Sequence, residues 1–175
     1  MSTLVLTVLG DDRPGLVSAV ASVVADHDGN LLTGELARLA GKFAGIVLVE
    51  VPADQEAALR AALEALAATG LHVTASAAGG PAGPADQSPG ATLALSLVGQ
   101  DRPGIVAQVS AALAAHGVSI EALHTESREA PMAGGLLFEA QARLAAPAGV
   151  DFEALRPALE AIADELMVDL ELTAD

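Results

Sequence analysis

The stretch LGDDRPGLV at residues 9–17 returns as VGQDRPGIV at residues 98–106. In both places an apolar run of strand type precedes the Arg-Pro-Gly segment, and an apolar run of helical period follows it. Proline fixes φ and lacks a backbone donor, so Pro14 and Pro103 suit the first position of a helix. The glycine that follows could leave backbone amides open to an anionic ligand at the positive end of the helix. Alternatively, Pro-Gly only enforces a tight turn.

The repeat extends well beyond this segment. Aligning Gly10 with Gly99 brings Glu50 onto Glu139 without a gap. Between the two copies lies AAGGPAGPADQSPGA, whose composition disfavours both helix and strand. We therefore predict a first domain at residues 1–77, a Pro/Gly-rich linker at 78–90 and a second domain at 91–175.

Within each copy the apolar period changes in a fixed order: strand, helix, two strands, helix, strand. In the first copy the predicted strands are 3–9, 31–39, 44–51 and 71–75; Leu59, Leu63 and Leu66 mark the second helix. In the second copy the strands are 92–98, 119–128, 134–142 and 167–172; Leu155, Leu159 and Ile162 mark the second helix. This order predicts an α+β protein of two ferredoxin-like βαββαβ units, each an antiparallel sheet with both helices on one face.

Composition excludes several function classes. The chain of 175 residues has a net charge of −15, three Phe and neither Trp nor Tyr. It therefore repels nucleic acid and offers few aromatic rings for base stacking. The absence of Cys removes disulfides and thiolate chemistry. No apolar run reaches the length of a membrane span, and the first residues lack the basic flank of a signal peptide, so we expect a cytoplasmic protein.

The two strand-turn-helix segments, GDDRPGLVSAVASVVADHDGNL and GQDRPGIVAQVSAALAAHGVSI, resemble the ACT domain family. Its members are regulatory modules that bind small molecules, usually amino acids. The tandem layout, with NLLTGELARLAGKFAGIVLV in the first copy and ESREAPMAGGLLFEAQARL in the second, is similar to the glycine cleavage system transcriptional repressor group. Similar turns head the ACT modules of formyltetrahydrofolate deformylases and some phosphoserine phosphatases, but no catalytic domain is present in this chain.

The resemblance implies where a ligand would bind. Amino-acid-binding members use a side chain in the turn and a polar side chain just after the first helix. The turn positions are Asp12, Arg13, Pro14, Gly15 and Leu16 in the first copy and Asp101, Arg102, Pro103, Gly104 and Ile105 in the second; those after the helix are Asn30 and Leu31, and Ser119 and Ile120. Well-studied binders have Asn in the turn, so Asp could prefer an ammonium group or could cap the helix.

Other polar residues suggest less. His27 and His116 fall near helix C-termini, where the helix dipole favours positive charge, so we assign them a capping role. His124 and Glu126 would share one face of a strand and could bind a metal, but His72 is the only other histidine without an assigned role. We predict no metal, no cofactor and no catalytic residue.

The sequence thus predicts a non-catalytic sensor that binds a small amino acid or related carboxylate, and the resemblance implies that glycine metabolism is the process it serves. It would act through a regulatory protein partner, as a transcriptional co-repressor, and form a homodimer. The second copy is the more acidic, −9 at 91–175 against −5 at 3–77, which suits either a basic partner or solubility. The alternatives are a ligand-free assembly module and a detached regulatory subunit of an enzyme such as a deformylase.

Overall fold

A computed structural model describes residues 1–79, 89–130 and 134–174. The chain divides into two compact units, Met1–Pro81 and Ala82–Asp175, hereafter unit 1 and unit 2. Of the predicted linker, residues 80–88 lie outside the described residues. No helix in the described ranges combines the length and the apolar character that a bilayer span needs.

Unit 1 is a four-stranded antiparallel sheet with two helices. Its elements are β1 (Ser2–Asp11), α1 (Leu16–Ala25), β2 (Asn30–Leu39), β3 (Lys42–Val51), α2 (Glu56–Ala65), a 3₁₀ turn (Leu66–Thr69) and β4 (Leu71–Ala77). The strand order is β2-β3-β1-β4, which places β1 in the centre and leaves β2 and β4 as edges.

Unit 2 repeats this architecture. Its elements are β5 (Pro89–Gln100), α3 (Ile105–Ala115), β6 (Ser119–Glu129), β7 (Leu136–Pro147), α4 (Phe152–Leu166) and β8 (Val168–Ala174). The strand order β6-β7-β5-β8 matches that of unit 1. The predicted α+β class and the order βαββαβ in each copy are confirmed.

The core of each unit lies between the helices and one face of the sheet. Along β1, Leu4, Leu6 and Val8 are buried while Thr7 and Leu9, which alternate with them along the strand, are exposed, as the two-residue period of a strand requires. The buried side chains pack against Leu16, Val20, Val24, Leu59 and Leu63 from the two helices. Each fully buried Leu contributes about 1.5–3 kcal/mol, so this alternation fixes which face of the sheet the helices cover.

The two copies differ at the hairpin between their second and third strands. In unit 1 the hairpin turns through Ala40 and Gly41, both with positive φ, whereas the strands of unit 2 stop at Glu129 and resume at Leu136. Val8 consequently lies opposite Gly45, but its counterpart Leu97 lies opposite Ala140.

The gapless alignment of Glu50 with Glu139 is therefore wrong beyond this hairpin. Glu50 pairs with Thr3, and the residue that pairs with the counterpart Thr92 is Ala145. Glu139 is instead the counterpart of Ala44. The longer hairpin connection of unit 2 shifts the correspondence between the two copies along the whole third strand.

Arg60 ties α2 to the edge strand β4. Its guanidinium donates to the carbonyl oxygen of Ala75 and, through Nε at 3.0 Å, to a carboxylate oxygen of Glu56. A hydrogen bond from Ser2, followed by the bond from Arg60, lowers the pKa of Glu56 below its ordinary value of 4.5. These contacts link the start of β1, the first turn of α2 and the end of β4.

Replacing Glu56 with Gln should reduce the loss of unfolding free energy that the wild type shows as the pH is lowered. Because the pKa of Glu56 is lower in the folded chain, its carboxylate stabilises the fold above the ordinary pKa of 4.5. That contribution disappears as the pH falls below this value. Denaturant unfolding between about pH 7 and pH 3 measures the effect. Glu64→Gln, at an exposed position of the same helix, is the matched control and should keep the wild-type profile.

Candidate functional site: the repeated strand-to-helix turn

The repeated segment forms a β-turn that precedes each helix. Gly15 has φ 92° and ψ 0°, and Gly104 has φ 98° and ψ −5°. These angles match the third residue of a type II turn, where the second residue is commonly proline. The helices start at Leu16 and Ile105. The prediction that each proline occupies the first position of its helix is therefore wrong. The glycine after the proline adopts the left-handed conformation, and the helix begins only at the residue that follows this glycine.

Glycine is required in the turn because of the backbone conformation, and not because a side chain would collide with a neighbour. A Cβ added to Gly15 or Gly104 would meet no atom within 4 Å, yet both have a φ that side-chain-bearing residues rarely adopt. The turn by itself thus accounts for the glycine. A ligand has to be argued from the groups around the turn.

No side chain caps the helix that follows either turn. Neither α1 nor α3 has a side-chain hydrogen bond at its N-cap, whereas Asp151 caps α4 by accepting from the Ala154 amide at 3.1 Å. The side chains of Leu16 and Ile105 are buried, so these two residues offer only their backbone at this end. The first amides of α1 and α3 therefore keep the potential to bind an anion.

In unit 1 the carboxylates of the turn are engaged by basic residues of the adjacent hairpin. Asp12 accepts from the Arg38 guanidinium at 3.2 Å, and its amide donates to the carbonyl of Gly41 at 2.9 Å. Asp11 is bound by Lys42, and this hydrogen bond together with charge attraction lowers the pKa of Asp11. Each of the two carboxylates is therefore already paired with a basic side chain of unit 1.

The arginine of the first turn is also engaged. The Arg13 guanidinium donates to the carbonyl oxygen of Thr69 at 2.9 Å, in the 3₁₀ turn after α2. All three charged side chains of this turn are therefore held by groups of unit 1 itself.

Unit 2 keeps the backbone of the turn but lacks these side-chain partners. The Asp101 amide donates to the carbonyl of Leu136 at 2.8 Å, as Asp12 does to the hairpin of unit 1. The position of Arg38 is taken by Ser127, because each lies opposite a Phe of the neighbouring strand. Within the residues that the structure describes, no ion pair or side-chain hydrogen bond is formed by Asp101 or Arg102, and both are half-buried.

The residues predicted after the first helix lie far from the turn. Asn30 pairs with Glu50, which pairs with Thr3, whereas Asp12 follows Asp11 at the other end of the same central strand. Eight residues of strand separate the two rows, a distance of about 27 Å. The same register separates Ser119 from Asp101 in unit 2. Within one unit, a single amino acid cannot contact both predicted groups.

Three of the remaining predicted residues line apolar crevices, although Ile120 is still 36% exposed. Leu31 borders a crevice of about 10 Å³ beneath α1, and Ile105 and Ile120 border one of about 20 Å³ beneath α3. Such volumes hold about one water molecule. These crevices are therefore too small for an amino acid, and a ligand at the turn would have to bind from the surface.

The histidines occupy separate places. His27 Nδ1 lies 2.8 Å from the carbonyl oxygen of Val23 in the last turn of α1, which confirms the capping role predicted for it. His124 and Glu126 lie on β6 opposite Gln141 and Glu139. Across the described ranges, no group of three or more His, Cys, Asp or Glu is placed to hold a metal ion.

Sequence reasoning missed the two cations that neutralise the first turn. The antiparallel pairing of β1 with β3 places Lys42 directly opposite Asp11, and Arg38 lies near the end of the adjoining strand. The charge pattern within the hairpin could have indicated Lys42. The partner of Arg38 depends on how the turn folds over the hairpin.

Comparisons with known proteins agree with this architecture. The ACT domain family models match residues 2–75 and residues 94–140. A crystal structure of an unknown protein from Galdieria sulphuraria is 32% identical, covers 99% of this chain and 98% of its own, and superposes with a TM-score of 0.87. That of a candidate glycine cleavage system transcriptional repressor covers 99% and 97% with a TM-score of 0.73 but 17% identity, which shows the shared fold.

A shorter match is to UPF0237 protein MK1213 from Methanopyrus kandleri. It is 39% identical over 51 residues, which are 29% of this chain and 57% of that relative. The chain therefore matches little more than half the length of this relative.

Two ferredoxin-like units, each with an uncapped helix behind a Pro-Gly turn, define a tandem of small α+β regulatory modules. The chain belongs to the ACT domain family and carries one ACT domain in each unit.

Replacing Gly15 or Gly104 with Ala should lower the free energy of unfolding by about 1–2 kcal/mol, the cost of a left-handed L-residue. The loss is conformational, because the added methyl group meets no neighbour. Asn tolerates positive φ better, so Gly104→Asn should lose less than Gly104→Ala. Denaturant unfolding measures both. Equal stability of Gly104→Ala and the wild type would contradict a turn that needs glycine.

Proposed function

We propose that this protein is a non-catalytic ACT-domain sensor that binds a small amino acid at the turn of unit 2 and acts through a protein partner. The observation that supports this choice is the contrast between the two turns. In unit 1, Asp12 and Arg13 are held by Arg38 and Thr69. The equivalent Asp101 and Arg102 have no such partner among the described side chains, beside an uncapped helix.

The groups at the second turn are complementary to an amino acid zwitterion. The first amides of α3 and the guanidinium of Arg102 suit a carboxylate, while the Asp101 carboxylate suits an ammonium group. Hydrogen bonds to charged groups contribute about 1.5–3 kcal/mol each. The site is open to the surface, so we expect it to select for a small ligand, chiefly by its two charges.

The partner is expected to be a protein and not a nucleic acid. The net charge of −15 disfavours direct contact with phosphate backbones. Ligand-dependent control needs a coupling free energy of about 1–3 kcal/mol between the ligand and the partner. Because the tandem sequence resembles glycine cleavage repressors, glycine is the first ligand to test. Co-repression of transcription in the cytoplasm is the first role to test.

A panel of amino acids in thermal melting tests this proposal. A ligand at about 100 times its Kd adds about 2.7 kcal/mol of stability, so the ligand should raise the Tm of the wild type by several degrees. Asp101→Asn keeps the shape of the side chain but removes its charge, and should abolish the increase. Asp12→Asn is the matched control and should keep it, because Asp12 is already paired with Arg38.

Two other results would replace the proposal. If no amino acid raises the Tm, an assembly module without a ligand becomes the better description; the turn glycine, explained by conformation alone, is compatible with it. Co-purification of a catalytic subunit with the full chain would instead favour a detached regulatory subunit of an enzyme. Loss of the Tm increase in Asp12→Asn and its retention in Asp101→Asn would place the ligand in unit 1.

A further inference from the structure

We infer that unit 1 carries a second ligand site of the kind proposed for unit 2, and that the side chain of Arg38 holds it closed. This inference rests on the proposed function, because it concerns the same class of ligand. Both turns have a left-handed glycine, Gly15 or Gly104, and both are followed by a helix without a side-chain cap. Each turn also has an Asp-Arg pair at the same two positions. The two turns therefore differ only in what surrounds these groups.

The closing contact imitates the contact that a ligand would make. Nη1 of Arg38 lies 3.2 Å from Oδ2 of Asp12. In the site proposed for unit 2, the ammonium group of the ligand donates to the carboxylate of Asp101. The guanidinium of Arg38 is likewise a cationic N–H donor on an aspartate carboxylate, so it competes with an ammonium group for Asp12. An amino acid at this turn has to displace Arg38 or accept a second cation beside its ammonium group.

The charge around the two turns differs in the same sense. The turn of unit 1 and its hairpin contribute five charged side chains, Asp11, Asp12, Arg13, Arg38 and Lys42. Their net charge is +1. The counterparts in unit 2 are Gln100, Asp101, Arg102, Ser127 and Leu137, whose net charge is zero. Since the loss of Lys42 is balanced by the loss of Asp11, the whole difference comes from Arg38.

Arg38 is free to leave its place, and Arg13 is not an obstacle. The side chain of Arg38 is 73% exposed, and an ion pair in so much solvent is weak. Arg13 donates to the carbonyl oxygen of Thr69 through Nη2. A guanidinium has five N–H donors, so the others remain available to a carboxylate. Arg38 is therefore the side chain that separates a closed turn from an open one.

The weakness of this ion pair limits how strongly the site is closed. Displacing an exposed ion pair lowers an affinity by up to about fivefold. The displaced guanidinium stays tethered beside the site, where its charge opposes that of the ammonium group of the ligand. We therefore expect the turn of unit 1 to bind an amino acid about tenfold more weakly than that of unit 2. The chain would then respond to the ligand in two steps, first at unit 2 and then at unit 1.

Isothermal titration calorimetry of the full chain with each common amino acid, glycine first, tests this inference. The wild type should show one tight site per chain and Arg38→Ser two, because Ser127 stands at this position in the open turn. Asp101→Asn should show no tight site, and adding Arg38→Ser to it should restore one. Arg156→Ser removes the same charge from an exposed position of α4 and should bind as the wild type does.

The outcomes separate this inference from the proposed function. If the wild type and Arg38→Ser both show one tight site per chain, Arg38 closes nothing and the inference is overturned, while the sensing role stands. If neither protein binds any amino acid, both proposals fail. If Arg38→Ser gains a site and the wild type has none, the closure of unit 1 is supported and the site proposed for unit 2 is not.

Discussion

Each unit depends on one backbone constraint: the chain must leave the central strand and enter a helix within four residues. Only a residue that tolerates positive φ completes that turn, and glycine supplies it at Gly15 and Gly104. The turn lets the helix run back over the inward face of the strand it has just left, so that Leu4 and Leu6 are covered by α1 and α2. The same geometry leaves the first helical amides without a side-chain cap. The fold and the candidate site thus share a single cause.

Duplication has kept this geometry and changed the side chains around it. In unit 1 the hairpin supplies Arg38 and Lys42, which neutralise the acids of the turn. In unit 2 the hairpin is longer, and Ser127 stands at the position of Arg38. The charged side chains of the first turn are thus paired within unit 1, whereas Asp101 and Arg102 of the second turn have no side-chain partner among the described residues. A pair of nearly identical motifs can therefore carry unequal roles, because charge pairing depends on neighbouring strands.

The outward faces have diverged in the same way. Both sheets need an inward apolar face, which the helices cover, but nothing in the fold dictates the character of the other face. Unit 1 has Ile46 and Leu48 where unit 2 has Gln141 and Arg143. The middle rows of the two outward faces thus differ in polarity, although the two sheets share one strand order. The strand register makes these counterparts visible, since the gapless alignment pairs the third strands incorrectly.

The sequence by itself determined the fold class, the order βαββαβ and the placement of the helices, because the period of apolar residues directly reports which faces are buried. It also located the two turns, since Arg-Pro-Gly restricts the backbone locally. Only the tertiary structure decided that Pro14 precedes the helix instead of opening it, that Asn30 and Asp12 lie near opposite ends of the sheet, and that Arg38 neutralises the first turn. These facts depend on strand register and hairpin length, because both determine which residues distant in sequence become neighbours. Neither leaves a periodic signal along the chain.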